Sequence, residues 1–317
     1  MPSDSNPLDV TITFPIFNEK TALRQCVLDM QEAMDRLPYS YEILLVDDGS
    51  SDGGLATVAD LDVRTIRHIR NMGGAMARLT GIRYARGNII LQSDADGTYA
   101  VDAIGVMLEK INHCDLVIGA RKRESATDWR WMRIITKWLM RKLAELLSGA
   151  KIPDLNSGMR VYRKEPALRF AHLYPKGHSI MSTMTLAFLT NGLVVEFHPI
   201  DYYVRIGKSS FHPIRDTFNY LTTTVRTVAF FRPLRVMLPF AIVLAAAALF
   251  FTIRNLIDFG ILGRLPQLLW ISSALIMGLG VLADQMARLS RQIIFLDNRH
   301  WPDRHIIEET PDAKTTD

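Results

Sequence analysis

Cysteine is scarce in this sequence: Cys26 and Cys114 are the two in 317 residues. Two cysteines cannot build the disulfide framework of a small secreted domain, and they are too few for a cysteine-rich zinc site. We therefore expect both to be small, buried apolar side chains in a reducing compartment.

A large excess of one charge is also missing. The 37 Lys and Arg residues nearly balance the 33 Asp and Glu residues, so the formal net charge is +4. That balance argues against a dedicated nucleic-acid-binding protein and predicts no nucleic acid partner, although an isoelectric point near 9.1 permits an anionic ligand. With 48% hydrophobic residues, the chain is also unlike a disordered protein.

Two common phosphate-binding signatures are absent as well. The first strand-like run, Leu8–Phe14, is not followed by the Gly-x-Gly-x-x-Gly pattern of dinucleotide-binding folds, and the chain has no Walker A sequence. The sequence is therefore a poor candidate for a dehydrogenase or a P-loop nucleotide hydrolase.

Charges are missing from two long apolar runs near the C-terminus. Val236–Ile253 has eighteen residues and Leu265–Ala283 has nineteen, with an eleven-residue connection between them. As helices they would be about 27–29 Å long, close to the hydrocarbon thickness of a bilayer. Buried helices of a soluble domain could give a similar pattern, but two such runs in tandem favour a transmembrane hairpin.

Basic residues predict the orientation of this hairpin. Arginines before the first run and after the second outnumber those of the connection, which holds Arg254, Arg264 and the opposing Asp258. The positive-inside rule then places both termini in the cytoplasm. The N-terminal stretch lacks the apolar core of a signal peptide, so we expect a cytosolic domain there. The predicted boundaries are a cytosolic domain at 1–210, an interfacial amphipathic segment at 211–233, two transmembrane helices at 234–285 and a cytosolic tail at 286–317.

Strand and helix signals alternate through the first domain. Buried strand-like runs include Tyr41–Val46, Val63–Ile69, Asn88–Gln92 and Asp115–Gly119, and helical stretches separate them. Repeated β–α units predict an α/β fold with a mostly parallel sheet and helices on both faces. Ligands of such sheets bind beyond the carboxyl ends of the strands.

Two acidic pairs stand at predicted strand ends, Asp47 with Asp48 and Asp94 with Asp96. A single pair could simply cap the helix that follows it. Two pairs at one edge of the sheet favour a catalytic or binding role over helix capping. The carboxylates of Asp94 and Asp96 suit a divalent metal, Mg²⁺ or Mn²⁺, which in turn binds a diphosphate. The eight histidines form no metal-ligand spacing, and His68 is expected to be structural.

Six short motifs follow one another through about residues 8–210. They are Phe14-Pro15-Ile16-Phe17-Asn18-Glu19, Val46-Asp47-Asp48-Gly49-Ser50-Ser51-Asp52-Gly53, Arg70-Asn71-Met72-Gly73-Gly74-Ala75, Asp94-Ala95-Asp96-Gly97, Asn156-Ser157-Gly158-Met159-Arg160 and Arg205-Ile206-Gly207-Lys208-Ser209. Together, and in this order, they resemble family 2 glycosyltransferases of GT-A fold, in the branch of dolichol-phosphate mannose synthases and bacterial polyprenyl-phosphate glycosyltransferases. The resemblance implies a Rossmann-like GT-A domain.

The resemblance also implies a role for each matching residue. The residues implied to bind the nucleotide are Pro15, Phe17, Glu19, Asp48, Asn71 and Gly73, with Asp48 accepting a hydrogen bond from the base. The residues implied to be catalytic are Asp94, Asp96, Arg205 and Lys208. Asp96 would bind the metal, Asp94 would face the sugar or the metal, and the two cations would close over the diphosphate. Dolichol-phosphate mannose synthases commonly have a metal-binding Gln where this chain has Thr98, a weaker ligand.

The acceptor is predicted to be a lipid phosphate. No acidic residue falls within 179–193, where related enzymes often have a catalytic base, and a phosphate monoester with a second pKa of about 6 needs none. Arg121 and Arg133 are the residues expected to hold that phosphate. A basic, tryptophan-rich stretch at 128–147 suits the membrane surface, although an ordinary helix packed on the sheet is the alternative.

The sequence thus predicts a membrane-anchored enzyme that moves a sugar from a UDP- or GDP-sugar to undecaprenyl or dolichyl phosphate. The transfer would be single, inverting and at the cytoplasmic face. Two alternatives stay open. A processive polysaccharide synthase would need a Gln-x-x-Arg-Trp motif, which this chain lacks, and a degenerate scaffold would be signalled by Thr98. A homo-oligomer is compatible with the sequence.

Overall fold

A computed structural model of the chain describes residues 8–122, 141–142, 144–145, 148–174, 180–203, 233–294 and 306–309. Its strands there are β1 (Val10–Ile16), β2 (Tyr41–Asp47), β3 (Arg64–His68), β4 (Ile89–Gln92), β5 (Leu116–Arg121), β6 (Arg160–Arg163), β7 (Val195–Ile200) and β8 (Ile306–Glu309). Its α-helices there are α1 (Lys20–Asp35), α2 (Gly74–Tyr84), α3 (Ile104–Lys110), α4 (Lys164–Arg169), α5 (Ile180–Thr190), α6 (Pro233–Phe259) and α7 (Arg264–Ile294). Single 3-10 turns lie at Gly54–Val58 and Ala171–Leu173.

The strands form one sheet in the order β7-β5-β6-β4-β1-β2-β3-β8. The central pairs β4–β1, β1–β2 and β2–β3 are parallel, as is the pair β5–β7. Apolar side chains of α1 and α3 pack on one face of the sheet, and those of α2, α4 and α5 pack on the other. This confirms the predicted α/β fold with a mostly parallel sheet and helices on both faces.

The strands are buried on both faces, which is why they read as continuous apolar runs in the sequence. Six of the seven residues of β1 are buried, and the last five of β2 are. Parallel strands expose their hydrogen-bonding carboxyl ends at one edge, and β1 to β4 therefore deliver the loops that follow them to the same side of the molecule.

One strand of the sheet, β6, has no apolar pattern and was not expected. It runs antiparallel between β4 and β5, and its sequence is Arg-Val-Tyr-Arg. The fully buried Arg160 is tolerated because its guanidinium donates to the carbonyls of Leu155, Ser157 and Met181 and to the Thr185 hydroxyl. A buried arginine is acceptable only with such partners, and a sequence pattern does not display them.

The segment after the apolar runs also contributes a strand. Ile306–Glu309, which the sequence analysis placed in a tail, pairs antiparallel with β3 at the edge of the sheet. The chain therefore returns to the N-terminal domain after the hairpin. This short strand covers an edge that would otherwise present unpaired backbone groups.

The two apolar runs form the paired helices α6 and α7. They contact each other closely: the Ser273 hydroxyl donates to the Ala241 carbonyl at 2.8 Å, and a Cβ on Gly280 would lie 3.1 Å from the Cβ of Met237. Large apolar side chains such as Val243 and Ile257 point outward and are exposed. Both helices are long and apolar enough to cross a bilayer, and exposed apolar surface of this extent is typical of contact with lipid.

The first of these helices begins against the N-terminal domain. Val236, near the start of α6, packs on the buried cluster of Ala144, Ile152, Leu155 and Leu186. The hairpin is thereby joined to the domain through apolar contact close to the loop that precedes β6.

Candidate active site

The carboxyl edge of the sheet gathers the predicted nucleotide-binding residues. Pro15 and Phe17 follow from β1, Asp48 follows β2, Asn71 and Gly73 follow β3, and Asp94 and Asp96 follow β4. Phe17 is 46% exposed, which is unusual for so large an apolar side chain and leaves its ring free to contact a flat ligand such as a nucleobase. Glu19 lies beside it at the start of α1 and is half-buried.

Asp48 connects the end of β2 to the loop that follows β3. One carboxylate oxygen accepts hydrogen bonds from the Met72 backbone N–H at 2.9 Å and from the His68 ring at 2.8 Å, and the other accepts from the Gly73 N–H at 2.8 Å. The side chain is almost wholly buried. The structure therefore shows Asp48 holding the loop at 70–73; its predicted contact with a base remains a prediction.

His68 supports Asp48 from behind. Its two ring nitrogens contact the Asp48 carboxylate and, at 2.9 Å, the Thr80 hydroxyl on α2. The ring is fully buried, so it links strand β3 to the loop and helix that follow it. This arrangement agrees with a structural rather than a catalytic histidine.

Gly73 occupies a conformation that favours glycine. Its φ is +93°, a value that L side chains rarely adopt, and its N–H points at Asp48. Asn71 lies two residues before it, and its side-chain oxygen accepts from the same N–H at 3.1 Å. The Gly73 N–H is therefore fixed by Asp48 and Asn71 in a backbone conformation that favours glycine.

Asp96 is buried and oriented by Thr98. Its Oδ1 accepts from the Thr98 hydroxyl at 2.6 Å and from the Thr98 backbone N–H at 3.2 Å. The exposed fraction of Asp96 is 6%. Thr98, which replaces the metal-binding Gln of some related enzymes, therefore acts here on Asp96 itself.

Asp94 is held differently. It forms an ion pair with Arg78 of α2, a residue that the sequence analysis did not single out. Asp94 also lies against the loop before β6: a Cβ on Gly158 would lie 2.3 Å from its Oδ2. Only glycine leaves room for this carboxylate, which gives a physical reason for the glycine in Asn-Ser-Gly-Met-Arg.

Tyr99 and Tyr202 link this turn to the segment after β7. Their backbones form an isolated antiparallel bridge, and their rings meet edge-on with centroids 5.2 Å apart. The Tyr203 N–H donates to the Thr98 carbonyl at 2.8 Å, and the Gly158 N–H donates to the Tyr99 hydroxyl at 2.7 Å. Burial raises the pKa of Tyr99 above its ordinary value, so it remains a neutral phenol. A local sequence pattern cannot predict this contact, because Tyr99 and Tyr202 are about one hundred positions apart.

Arg121, predicted to hold the acceptor phosphate, is paired with Asp154. Its Nε and Nη2 donate to the two carboxylate oxygens at 2.7 and 3.0 Å, and its guanidinium lies over the Tyr202 ring, 5.2 Å from the centroid. Burial is the largest influence on Asp154 and acts to raise its pKa, but the hydrogen bonds and charge of Arg121 leave that pKa below its ordinary value. A role for Arg121 toward an acceptor remains a prediction.

Three predicted residues lie outside the described part of the chain. They are Arg133, Arg205 and Lys208, and most of the tryptophan-rich stretch and the segment 211–232 fall outside it too. The described stretch at 180–203 reaches Tyr203, two residues before Arg205.

The acidic edge fits a metal that arrives with its nucleotide. Among the described residues, no three His, Cys, Asp or Glu side chains cluster as a complete metal site. At this turn the Thr98 hydroxyl donates to the buried Asp96, and Asp94 forms an ion pair with Arg78. One or two carboxylates together with phosphate oxygens and water are the usual ligands of Mg²⁺ at nucleotide sites.

This architecture defines a class: a GT-A domain whose Asp-x-Asp turn and exposed aromatic stand at the carboxyl edge of a mostly parallel sheet. The chain belongs to glycosyl transferase family 2, since that family's model matches residues 11–169. A second family model, the GtrB C-terminal hairpin, matches residues 232–289. The predicted family and the predicted membrane hairpin are thereby confirmed.

Several curated relatives match this chain over about two thirds of its length or more. A dodecaprenyl-phosphate galacturonate synthase of Rhizobium johnstonii is 26% identical over 71% of this chain and 68% of its own length. A polyprenol monophosphomannose synthase of Mycolicibacterium smegmatis is 28% identical over 68% of this chain and 86% of its own. A bactoprenol glucosyl transferase of Shigella phage SfV is 23% identical over 95% of this chain and 98% of its own.

Solved structures agree on the fold. Glucosyl-3-phosphoglycerate synthase of Mycobacterium tuberculosis in complex with UDP superposes with a TM-score of 0.56 at 11% identity, over 70% of this chain and 80% of its own. The same enzyme with Mn²⁺ and UDP-glucose gives a TM-score of 0.52 at 14% identity, over 70% of this chain and 78% of its own.

Proposed function

We propose that this glycosyltransferase moves a sugar from a nucleoside diphosphate sugar to a polyprenyl phosphate. The observation that carries the proposal is the contact between the N-terminal domain and the apolar helix α6. A family 2 catalytic domain and a pair of helices long enough to cross a bilayer are in contact where Val236 packs on the buried cluster at Ala144. Relatives are named for dodecaprenyl, polyprenol and bactoprenol carriers, and the bactoprenol glucosyl transferase matches over 95% of this chain.

The donor would lie along the carboxyl edge of the sheet. The exposed Phe17 ring suits a nucleobase, and Asp48 fixes the loop at 70–73 of the same edge through the N–H groups of Met72 and Gly73. Asp96, fixed by Thr98, would hold Mg²⁺ or Mn²⁺, whose charge would stabilise the departing diphosphate. Asp94 would contact the sugar.

The acceptor needs no catalytic base in this proposal. A phosphate monoester is largely a dianion at neutral pH, so its oxygen can attack the anomeric carbon without losing a proton. Helix α5, whose Met181 and Thr185 accept hydrogen bonds from Arg160 of β6, carries no acidic residue. A single in-line displacement at the anomeric carbon, with inversion, follows from direct attack.

The test is a panel of radiolabelled UDP- and GDP-sugars incubated with the full chain and undecaprenyl or dolichyl phosphate. The expected result is metal-dependent transfer of one sugar into the lipid phase from one donor. Label in a long polymer would instead establish a processive synthase, and no transfer from any donor would favour a degenerate scaffold.

Arg205 and Lys208 are proposed to act on the leaving diphosphate. A charge that helps only as the leaving group gains negative charge lowers kcat more than it weakens ground-state binding. Arg205→Ala should therefore reduce kcat about 10²-fold, the cost of one lost preorganised donor. Arg205→Lys should rescue only partly, since an ammonium lacks the guanidinium fork. Arg254→Ala, the same change near the C-terminal end of α6, is the control and should leave kcat unchanged.

Both ends of the hairpin are proposed to lie in the cytoplasm. The pairing of β8 with β3 returns the chain to the catalytic domain after two spans, in agreement with that topology. In a variant without Cys26 and Cys114, Asp258→Cys should react with an impermeant maleimide added from outside the cell. Asp60→Cys, on the exposed surface of the catalytic domain, should react with the maleimide only after the cell membrane has been permeabilised. The reverse pattern would overturn this topology.

A further inference from the structure

Arg121 ends strand β5 at the same edge of the sheet as Asp94 and Asp96. Strands β4 and β5 both run antiparallel to β6, which lies between them, so their carboxyl ends point the same way. Strand β7 is parallel to β5, and Tyr202 after it therefore lies at this edge too. The Tyr202 ring contacts the ring of Tyr99, just after the turn at Asp96. Arg121 is thereby placed beside the proposed donor site.

Two partners of different kinds hold the Arg121 guanidinium. The Asp154 carboxylate accepts from Nε at 2.7 Å and from Nη2 at 3.0 Å, and the guanidinium Cζ lies over the Tyr202 ring, 5.2 Å from its centroid. Asp154 also accepts from the Arg121 backbone N–H at 3.3 Å and from the Asn156 N–H at 3.1 Å. The exposed side-chain fraction is 14% for Arg121 and 12% for Asp154. A carboxylate and an aromatic ring together fix the direction of this guanidinium.

The loop before β6 contains Asp154 and contacts both the hairpin and the donor edge. Near its start, a Cβ on Gly149 would lie 3.2 Å from Nη1 of Arg235, in the first turn of α6. At its end, a Cβ on Gly158 would lie 2.3 Å from Asp94 Oδ2. Asp154 stands between these two glycines in the chain. The loop therefore leads from the start of the first apolar helix to the carboxylates that follow β4.

Stability alone does not explain an ion pair with so little exposed surface. Desolvation of the two charges offsets much of their attraction, and apolar residues of similar size are often as stabilising in such a place. The pair does supply direction. A guanidinium carries five N–H donors in one plane, and the direction of that plane decides how it can meet the oxygens of a phosphate.

We propose that Asp154 and Tyr202 are positioning residues that orient Arg121 toward the phosphate of the lipid acceptor. This inference rests on the proposed function, since it presupposes a lipid phosphate and the role predicted for Arg121. The ligand is a phosphate monoester that reaches the donor edge from the side of the loop that contacts α6. Asp154 and Tyr202 act through Arg121 and not on the reacting atoms.

The experiment compares three constants of the full chain in detergent: the KM for undecaprenyl phosphate, the KM for the sugar donor and kcat. Asp154→Asn keeps the size of the side chain but removes its charge, so Arg121 is no longer held in one direction. The KM for undecaprenyl phosphate should rise about tenfold, the lower end for a lost charged hydrogen bond. The other two constants should stay within about twofold, because a contact made equally in the ground state and the transition state changes KM and not kcat.

The neighbouring ion pair of Lys122 and Asp201 provides matched controls. Its Nζ and Oδ1 are 3.2 Å apart, and the side chains are 52% and 62% exposed. Asp201→Asn makes the same change one residue before Tyr202 and should leave all three constants unchanged, because solvent screens an exposed pair. Arg121→Gln should raise the KM for undecaprenyl phosphate at least as much as Asp154→Asn, whereas Lys122→Gln should not.

A double-mutant cycle tests whether Asp154 acts through Arg121. Arg121→Gln combined with Asp154→Asn should raise the KM for undecaprenyl phosphate no further than Arg121→Gln alone, because Asp154 then has no guanidinium to orient. Tyr202 offers a second test that leaves the ion pair intact. Tyr202→Phe keeps the ring and should keep the original KM, whereas Tyr202→Leu should raise it about threefold, the order of one cation–π contact.

An unchanged KM for undecaprenyl phosphate in Asp154→Asn would overturn the inference. So would an equal rise in both KM values, which would indicate a general structural role, or a lower KM, which would mean that Asp154 competes with the phosphate for Arg121. If thermal unfolding shows that Asp154→Asn does not fold, equal KM values for Tyr202→Phe and Tyr202→Leu would overturn it instead. Failure of the unaltered protein to transfer sugar to any lipid phosphate is a different outcome and would contradict the proposed function itself.

Discussion

Asp47 and Asp48 follow β2, whereas Asp94 and Asp96 follow β4, and the two pairs use their oxygens differently. Each residue of the first pair is 1% exposed and accepts backbone hydrogen bonds, Asp47 from Ser50 and Asp48 from Met72 and Gly73, beside one side-chain partner each, Arg67 and His68. In the second pair, Asp94 forms an ion pair with Arg78, and Asp96 accepts a hydrogen bond from the Thr98 hydroxyl. The first pair therefore holds the loops at this edge of the sheet, and the second pair is proposed to act on the bound donor.

The comparison separates two reasons for placing a carboxylate at the end of a buried strand. Backbone N–H groups that a loop leaves unpaired need an acceptor, and a buried aspartate provides one. A metal–diphosphate needs a carboxylate with an oxygen directed outward. Substitutions that remove the charge but keep the shape should therefore damage stability at Asp47 and Asp48 and turnover at Asp94 and Asp96.

The largest effect is expected for Asp96→Asn. The amide keeps the size of the side chain but is a poor metal ligand, so kcat should fall by about 10³-fold, the upper range for one lost electrostatic contact. Thermal unfolding should be nearly unchanged. Asp102→Asn, an exposed change in the loop just after this turn, is the control for both measurements. Near-normal turnover of Asp96→Asn at low metal concentration would remove Asp96 from the metal site.

Gly158→Ala tests the confinement of Asp94. The added methyl would fall 2.3 Å from Asp94 Oδ2, so the carboxylate must move, and its contact with Arg78 moves with it. We expect kcat to fall by about tenfold to a hundredfold, as for the loss of an orienting partner. Gly192→Ala is an instructive contrast: no atom lies within 4 Å of its added methyl, but its φ of +78° is strained, so it should lower stability and not kcat. Equal loss of kcat in both variants would contradict the role given to Gly158.

Asp48→Asn should act on nucleotide affinity and stability, not on the chemical step. An amide cannot accept from all three N–H donors that meet the carboxylate, and its own N–H₂ would face one of them. The free energy of unfolding should fall by about 2–3 kcal/mol, the worth of a charged hydrogen bond. UDP or GDP should bind about tenfold more weakly, equivalent to about 1.4 kcal/mol. Calorimetric titration and kcat at saturating donor separate these effects, and a large fall in kcat would place Asp48 at the reacting atoms.

The sequence predicted the elements that repeat a local pattern. The parallel core strands, α1 and the two apolar helices were found because burial on both faces, helical periodicity and uncharged length are visible in a window of residues. The ends of these elements moved by a few residues: β1, for example, runs from Val10 to Ile16 rather than from Leu8 to Phe14. Strand β6 was missed because its four residues, Arg-Val-Tyr-Arg, form no apolar pattern.

The missed parts of the site are those that join distant segments. Arg78 meets Asp94, Tyr99 meets Tyr202, and Arg121 meets Asp154, and each pair is sixteen to more than a hundred residues apart. A motif records which residues stand together in the chain, so it identified Asp94 and Asp96 as a pair. It could not show that their neighbours make them different, because that difference is set by packing.

Asp47→Asn is expected to have the smallest effect. Asp47 Oδ1 accepts from the Ser50 N–H at 2.9 Å, and its Oδ2 meets Arg67 Nε at 3.1 Å, while Arg67 also donates to the Ser50 carbonyl at 3.0 Å. The asparagine carbonyl can keep the bond to Ser50, so only the contact with Arg67 is lost. Because the Arg67 side chain is 44% exposed, solvent screens much of that contact, and the cost should be about 1 kcal/mol.

That cost corresponds to a fall in Tm of about 2–4 °C for a domain of this size. The kcat and the nucleotide affinity should stay within about twofold of the original, because neither oxygen of Asp47 meets the loop at 70–73. Arg67→Gln removes the same contact from the other side and should give a similar shift in Tm, since each variant leaves the turn at Ser50 with one partner fewer. A fall in nucleotide affinity in Asp47→Asn as large as that in Asp48→Asn would show that the two neighbouring aspartates act as one unit at the donor site.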